Sequence, residues 1–445
     1  MVTNFSKTFI SQIQRKCQQY LKNWLAMPQC SDSTILYTGK VSHGLKVKNI
    51  IIESKKLQVC RSLLMKSSSD GKIQQLRKNE KQKETCSTGT HTLADACQQI
   101  VTTDLQNNNR RGLGRHRSIN KKQIRQEVGK EVERLELGNL LDKCNSKQVQ
   151  GRWSKWTNII RHDVKWRSLI NNSNEKLLKF NINASLETLP TRDNLRRWGV
   201  KVLGQCRLCG TKENLKHCLS LCSVALHQGR YKWRHNNVLK SISNSINHWY
   251  TNAQSNASEN SQNSYIAFRG YNMHCKAPPR RSLASNGHLG TPGWSIHMDI
   301  KDNQSSIQSV LQSIAPNYSC KQIPDIILHN NTKKCVILAE LTCPWEENIF
   351  QADSRKRSKY TPLASYLVNA GFNVSFFTFS IGARGYVGKG FDIFLSSLGM
   401  PLSIRKRTIS KVAHVSNFCS YIIFSRKDNE KWVDFSKSET QAGLV

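Results

Sequence analysis

Acidic side chains are scarce in this chain: 30 Asp plus Glu stand against 67 Lys plus Arg, a formal net charge of +37 over 445 residues. The basic excess runs through most of the length, which points to a polyanion, nucleic acid first, as the partner. No apolar run approaches the length of a membrane span, so a membrane partner is not expected. No secretory apolar stretch opens the chain; Met1 to Trp24 is polar and basic, with Lys7, Arg15, Lys16 and Lys22. The fifteen cysteines are odd in number and lie in a long chain, which argues against a disulfide framework. A reducing compartment follows, and clustered cysteines there are first to be tested as metal ligands.

The length allows two to four domains. Apolar positions at helical spacing, from Phe9 and Ile10 to Trp24 and Leu25, predict a helix over 5–25 that stops at Pro28. Residues 35–52 alternate loosely, and 66–91 read as a lysine-rich linker or exposed helices. The basic run 107–122 is either a solvated linker or an arm for phosphates. A helix follows with Ile124, Val128, Val132, Leu135, Leu140 and Leu141 on one face. Trp153, Trp156, Ile159, Trp166 and Leu177, within 152–180, are read as core at helical spacing, with stacking on bases as the alternative. Thr191 is placed as the N-cap of a short helix that buries Leu195 and Trp198. The polar stretch 251–264 is the clearest boundary. Beyond it, apolar runs 323–328, 335–342 and 373–380 predict strands, with a long helix over 345–370. A helix at 404–415 and a strand at 419–424 complete a mixed α/β domain.

Two constellations carry chemistry. The first is Cys206-x2-Cys209-x7-His217-x4-Cys222. Gly210 relaxes the turn that brings the first two sulfurs onto one ion, and His217 and Cys222 complete a tetrahedron with no open position. That predicts structural zinc, with Cys218 and His227 as possible substitutes. Arg230, Lys232, Trp233, Arg234 and His235 follow on a helix suited to a nucleic-acid backbone and a stacked base. The second constellation is Pro324-Asp325 and, fifteen residues after the acid, Glu340, each at the end of an apolar strand-like run. Two carboxylates on adjacent strands suit a divalent cation facing a phosphodiester. The commonest form of this motif puts a lysine two residues after the second acid; Thr342 stands there instead. Lys356, Lys359 and Tyr360, sharing one face of the following helix, are the nearest candidates for the basic role. Glu346 is read as either a helix-start charge or a third metal ligand.

These motifs together resemble the restriction-like endonuclease of early-branching, site-specific non-LTR retrotransposons. The likeness rests on Pro324-Asp325-Ile326-Ile327-Leu328, on Ala339 to Ile349, and on Ala352 with Lys356, Lys359, Tyr360 and Leu363. It also rests on the Cys-Cys-His-Cys knuckle, on Leu189-Pro190-Thr191, Asn194-Leu195 and Trp198 before it, and on Arg234-His235 after it. The specific motifs cover roughly 150–400. A weaker likeness to a polymerase thumb lies in Tyr20 to Pro28.

The resemblance implies an α+β chain: a thumb-like helical remnant (1–100), a basic helical linker region (101–200), a zinc knuckle with a basic helix (201–250) and a PD-(D/E)xK-type nuclease domain (265–445). It implies structural Zn2+, and Mg2+ or Mn2+ held by Asp325 and Glu340, to which the residue reading adds Glu346 as the candidate third magnesium ligand. Lys356, Lys359 and Tyr360 carry over as the displaced basic cluster. The implied activity is nicking of double-stranded target DNA, in the nucleus, to prime reverse transcription of the element's RNA. No Tyr-x-Asp-Asp polymerase signature is present, so the chain is expected to be the C-terminal part of such a polyprotein, with a reverse transcriptase chain as a further partner. The alternatives are an inactive remnant that binds DNA or RNA through its knuckle, and a structural zinc protein with a protein partner.

Overall fold

The computed structural model describes residues 5–39, 44–66, 68–76, 121–160, 175–257, 293–299, 304–318 and 323–433. It divides into two compact units. One comprises Met1–Lys155 with Arg161–Leu186, the other Trp156–Ile160 with Glu187–Val445. The knuckle and the α/β domain therefore belong to one unit. Among the described residues no helix is long and apolar enough to cross a membrane.

The first unit is helical. Its elements are α1 (Lys7–Trp24), α2 (Thr34–Tyr37), α3 (Ile50–Lys66), α4 (Lys121–Asn145) and α5 (Glu175–Ser185). Helix α1 begins at Ser6, whose hydroxyl accepts from the Phe9 amide, as an N-cap should. The predicted helix is present, but its apolar stripe is not its buried face: Phe9, Ile13, Tyr20 and Trp24 are exposed, and Gln14 and Lys22 are buried. Gln14 donates to the Tyr37 hydroxyl at 2.6 Å and accepts from the Ile50 amide at 2.8 Å. Lys22 donates to the carbonyls of Gln29 and Ser31 at 2.7 and 2.6 Å. Buried polar side chains with satisfied bonds orient this helix. Trp153 is fully buried, as the core reading requires; Trp166 and the basic run 107–120 lie outside the described residues.

The second unit holds the mixed sheet. Its elements are α6 (Arg192–Arg197), a π turn at His217–Leu221, α7 (Ser223–His227), α8 (Arg230–Ala257), β1 (Ser295–Met298), α9 (Gln304–Ile314), β2 (Ile326–Asn330), β3 (Cys335–Thr342), α10 (Ile349–Asn369), β4 (Asn373–Ser380), α11 (Lys389–Ser397) and α12 (Leu402–Ser425). The strands lie in the order β1-β2-β3-β4. The first two pairings are antiparallel and β3–β4 is parallel, with α10 as the crossover that a parallel pair needs.

Period-two alternation sorts the sheet's residues. Val336, Leu338, Glu340 and Thr342 share one face of β3. Ile327, Val336 and Leu338 pack in one apolar cluster with Ile307 and Ile314 of α9 and with Tyr360, Leu363 and Leu367 of α10. The same face turns polar at Glu340, which is how a carboxylate comes to sit at the rim of an apolar core. On the opposite face Phe379 packs on Phe391 and Phe394 of α11, with ring centroids 5.0 Å apart in both pairs.

Three expectations are corrected. Residues 419–424 are not a strand: α12 runs unbroken to Ser425. Thr408, Ile409, Val412, Val415, Ser416, Cys419, Ser420 and Ile423 are buried at helical spacing, so packing overrides the β-branched run at its end. The stretch 251–264 is helical through Ala257; its remainder lies outside the described residues. Thr191 does cap α6, accepting from the Asn194 amide at 3.2 Å, but the buried positions are Asp193 and Asn194, while Leu195 is half-buried and Trp198 is exposed.

Candidate metal centres: a zinc knuckle and a carboxylate pair

The knuckle is built from two short turns. Cys206 and Cys209 flank a loop closed by the Gly210 amide on the Cys206 carbonyl, 2.9 Å. Gly210 has φ of +74°, a conformation that costs an L side chain free energy and glycine almost none. The π turn His217–Leu221 carries the histidine and leads directly into Cys222.

One donor atom from each of Cys206, Cys209, His217 and Cys222 lies within 4.8 Å of the others. The Cys206 and Cys222 sulfurs are 4.0 Å apart, those of Cys222 and Cys209 are 3.7 Å apart, and Cys209 Sγ is 3.3 Å from His217 Nε2. A zinc tetrahedron with Zn–S of about 2.3 Å has S···S edges of about 3.8 Å. The residues therefore fit zinc, with Nε2 as the nitrogen ligand, and all four positions are filled by protein. Among the described residues neither Cys218 nor His227 joins the set. Burial holds the His217 imidazole below the usual histidine range, which keeps it in the neutral form that ligates. Burial works upward on Cys209, but hydrogen bonds from Thr211, Cys206 and Cys222 outweigh it and leave that thiol below its ordinary value.

The helix after the knuckle is not the basic surface its composition suggests. Arg230 and Arg234 are 1% exposed, and Trp233 is buried with them. Arg230 donates to the carbonyls of Arg426 and Asn429 at 2.7 and 2.5 Å. Arg234 donates to the Leu219 carbonyl at 3.0 Å, to Ser420 Oγ at 3.1 Å and to the Cys343 carbonyl at 3.2 Å. These guanidiniums are spent as struts inside the unit. Exposed cations near the knuckle include Arg196, Arg197 and Lys212, whose side chains are 63%, 51% and 63% exposed around the buried Asp193, and also Arg207 and Lys232.

The carboxylate pair follows from strand register. Ile326 faces Ala339 in the antiparallel β2–β3 pair, so Asp325, one residue earlier, comes opposite Glu340. The Asp325 amide donates to Glu340 Oε2 at 3.1 Å, and the Leu341 amide donates to Asp325 Oδ2 at 2.8 Å. Lys356, from the second turn of α10, forms an ion pair with Glu340 Oε1. The helix thus brings a lysine to the site although Thr342 cannot. The Thr342 hydroxyl instead meets Ser380 Oγ at 2.6 Å, and Ser380 donates to Asp353 Oδ1 at 2.6 Å.

Glu340 is 2% exposed. Burial first, and the charge of Asp325 second, raise its pKa above the usual carboxylate range despite the opposing pull of Lys356. Two buried acids held this close are costly as a charged pair, so the site favours either a proton or a cation. A divalent cation fits that donor set of hard oxygens.

His235 completes the site from the knuckle side. Its Nε2 lies 3.3 Å from Asp325 Oδ2 and 3.3 Å from the Leu341 carbonyl. Burial lowers its pKa, but the Asp325 carboxylate outweighs burial and the net shift is upward. The stabilisation by this pair is complete below the ordinary histidine value of about 6.5 and is lost as pH rises through the higher folded value. In the metal-free protein we therefore expect His235→Gln to lower the unfolding midpoint more at pH 6 than at pH 8.5; equal losses at both would remove the charged pair.

The other residues of the expected set divide. Tyr360 is buried and its hydroxyl donates to the Ile323 carbonyl at 2.8 Å, bracing the approach to Asp325. Lys359 lies with its ammonium 3.2 Å from that hydroxyl and 4.7 Å from the ring centroid. Glu346, expected as a third magnesium ligand, is corrected. Its Oε2 accepts from Arg384 Nε at 2.7 Å and its Oε1 from the Arg384 amide at 2.6 Å, so the carboxylate is committed to a buried arginine.

That arginine was not signalled by any motif. Arg384 Nη2 also donates to Glu347 at 3.0 Å, and Nη1 is 3.6 Å from Glu187. Its guanidinium carbon lies 3.7 Å from the Trp345 ring centroid and 4.3 Å from that of Trp156. Only a planar, always-charged group can be stacked and forked in this way.

A family model described as zinc-binding in reverse transcriptase matches residues 149–228. The match contains all four zinc ligands. Over that segment the chain is similar to zinc-binding domains associated with reverse transcriptases. No curated protein matches the chain.

Proposed function

We propose that the α/β part of the second unit is a metal-dependent DNA endonuclease of the PD-(D/E)xK type, the nuclease module of a non-LTR retrotransposon protein. The observation that carries this reading is the Asp325–Glu340 pair on adjacent strands with Lys356 paired to it from α10. The zinc-binding segment similar to those of reverse transcriptases supports the same reading. Asp325 and Glu340 would hold Mg2+ or Mn2+, which when bound supplies Lewis-acid stabilisation of the scissile phosphate. Lys356, paired with Glu340, would orient a water or balance charge developing on the phosphate oxygens. Tyr360 braces the chain leading to Asp325, and Lys359 lies against the Tyr360 hydroxyl. The partners would be duplex target DNA, gripped by the basic surface, and the element's RNA, in the nucleus, with the nick priming reverse transcription by a polymerase chain.

The purified chain is expected to nick supercoiled duplex DNA in Mg2+ or Mn2+. Asp325→Ala should lower the rate by about a thousandfold, the scale of losing an electrostatic centre at the reacting phosphate. Equal nicking by both proteins would sink the assignment. DNA retention by both without cleavage by either would mark a binding remnant instead. Binding should weaken by about a thousandfold or more between 50 and 200 mM salt, as several neutralised phosphates require. A flat salt response in a gel-shift titration would remove nucleic acid as the partner.

A further inference from the structure

Helix α8 connects the two metal centres within one turn and a half. At its first turn Tyr231 grips the knuckle. The Tyr231 hydroxyl accepts from the Cys222 amide at 3.1 Å and lies 3.1 Å from the carbonyls of both His217 and Cys218, to which it donates. Two of the four zinc ligands are thus tied to it through their own backbone. Three residues on, Arg234 bonds the Leu219 carbonyl of the π turn with one nitrogen and the Cys343 carbonyl, just beyond β3, with another. The next residue, His235, reaches Asp325 Oδ2 and the Leu341 carbonyl.

An α-helix rises about 1.5 Å per residue and does not deform cheaply, so a shift at Tyr231 is passed to His235 four residues later almost undamped. Among the described residues, Asp325 Oδ2 receives the Leu341 amide at 2.8 Å and lies 3.3 Å from His235 Nε2, the one side chain that meets it. His235 is therefore the side chain that orients this carboxylate, and its own orientation is inherited from the knuckle.

We propose that the zinc knuckle serves as the clamp of the carboxylate site: zinc holds the first turn of α8, α8 holds His235, and His235 positions Asp325 for a divalent cation. His235 is a positioning residue, acting through Asp325. This assigns the knuckle a role in the chemistry of a second centre and accounts for the burial of Arg234, which a nucleic-acid grip does not. It rests on Asp325 and Glu340 being a cation site, and the test separates the two ideas.

Mn2+ binding to the full chain is measured by the loss of the free-ion electron paramagnetic resonance signal, with zinc content determined in every sample. His235→Ala should weaken Mn2+ binding about tenfold, the usual effect of losing an outer-shell partner. His235→Gln, which retains an N–H for Asp325, should recover most of that loss. Tyr231→Phe should weaken Mn2+ severalfold while one zinc per chain is retained, and Lys240→Ala, on the exposed side of α8, should change nothing. Removing zinc should weaken Mn2+ at least as much as His235→Ala does. Should the wild type neither bind Mn2+ nor nick DNA, the nuclease reading fails, and the clamp is read from the imidazole 15N resonances of His235, which Tyr231→Phe and zinc removal must then shift. Unchanged Mn2+ affinity and unchanged resonances in zinc-loaded Tyr231→Phe would overturn the clamp.

Discussion

Serine in place of Cys206 is expected to release zinc and melt the segment from Gly204 to Gly229. The apolar cluster around the zinc ligands is small: Cys206, Cys222 and Ala225 pack with Cys209, Leu208, Val224 and Tyr231, while Leu215 and Leu219 of the same segment are buried outside it. Such a cluster cannot repay the entropy of ordering the segment, at roughly 1–2 kcal/mol per residue for the backbone alone. Structural zinc supplies about 10–16 kcal/mol of apparent free energy at neutral pH, so loss of one ligand in four should cost about 3 kcal/mol or more.

The dependence on pH follows from the thiols. Burial first, and neighbouring thiols after it, push Cys222 up to about 11, so the metal-free thiol is protonated at neutral pH. Zinc binding must release that proton, so affinity should fall about tenfold for each pH unit by which the pH is lowered, per proton released. Hydrogen exchange of the amides over 204–229, with zinc counted by atomic absorption, tests both statements. Retained protection in zinc-free Cys206→Ser would show that the knuckle is held by packing alone.

Replacing Arg384 with methionine is the second large effect, expected to cost about 3–5 kcal/mol in unfolding free energy. The pair it breaks is buried on both sides, since the side chains of Arg384 and Glu346 are both 0% exposed. Removing one partner leaves the other charged in a low-dielectric interior, and that desolvation, more than the lost attraction, sets the magnitude. The stacking between Trp345 and Trp156 is lost as well. Arg384→Lys should recover little, because an ammonium can neither fork to Glu346 nor lie flat between two indoles.

A double variant with Glu346→Gln should be less damaging than the sum of the singles by about 2 kcal/mol, the coupling expected of direct partners. Urea unfolding of the four proteins closes this cycle, and additive losses would show that the pair is not coupled. Gly382 belongs to the same lock: a Cβ built there overlaps the Glu346 carboxylate, so Gly382→Ala should disturb it too.

Local patterns made much of the α/β unit legible in advance. The three apolar runs fall on β2, β3 and β4 within a few residues, because each strand is short, continuous and flanked by turn residues. Lys356 could be nominated for the carboxylates because a helix following β3 must carry its side chains back over the sheet. The zinc ligands were legible because ligand spacing is itself the geometric requirement. Glu346 was not. Its neighbours in sequence suggested a metal, but the partner that satisfied it lies 38 residues away, and a buried charge goes to whichever opposite charge packing delivers. Arg230, Trp233 and Arg234 were misread as a nucleic-acid surface for the same reason. Composition cannot distinguish a basic residue facing solvent from one sealed against backbone carbonyls.

The sequence by itself therefore determined the zinc donor set, strands β2, β3 and β4, and the two acids that strand pairing would bring together. These depend on spacings of a few residues and on the periods of helix and strand. Only the tertiary structure decided that Arg384 would claim Glu346. It also placed His235 against Asp325, 90 residues away, and tied the knuckle and the carboxylate pair to one helix. Those outcomes rest on desolvated polar groups finding partners across the fold, a choice that no local period encodes.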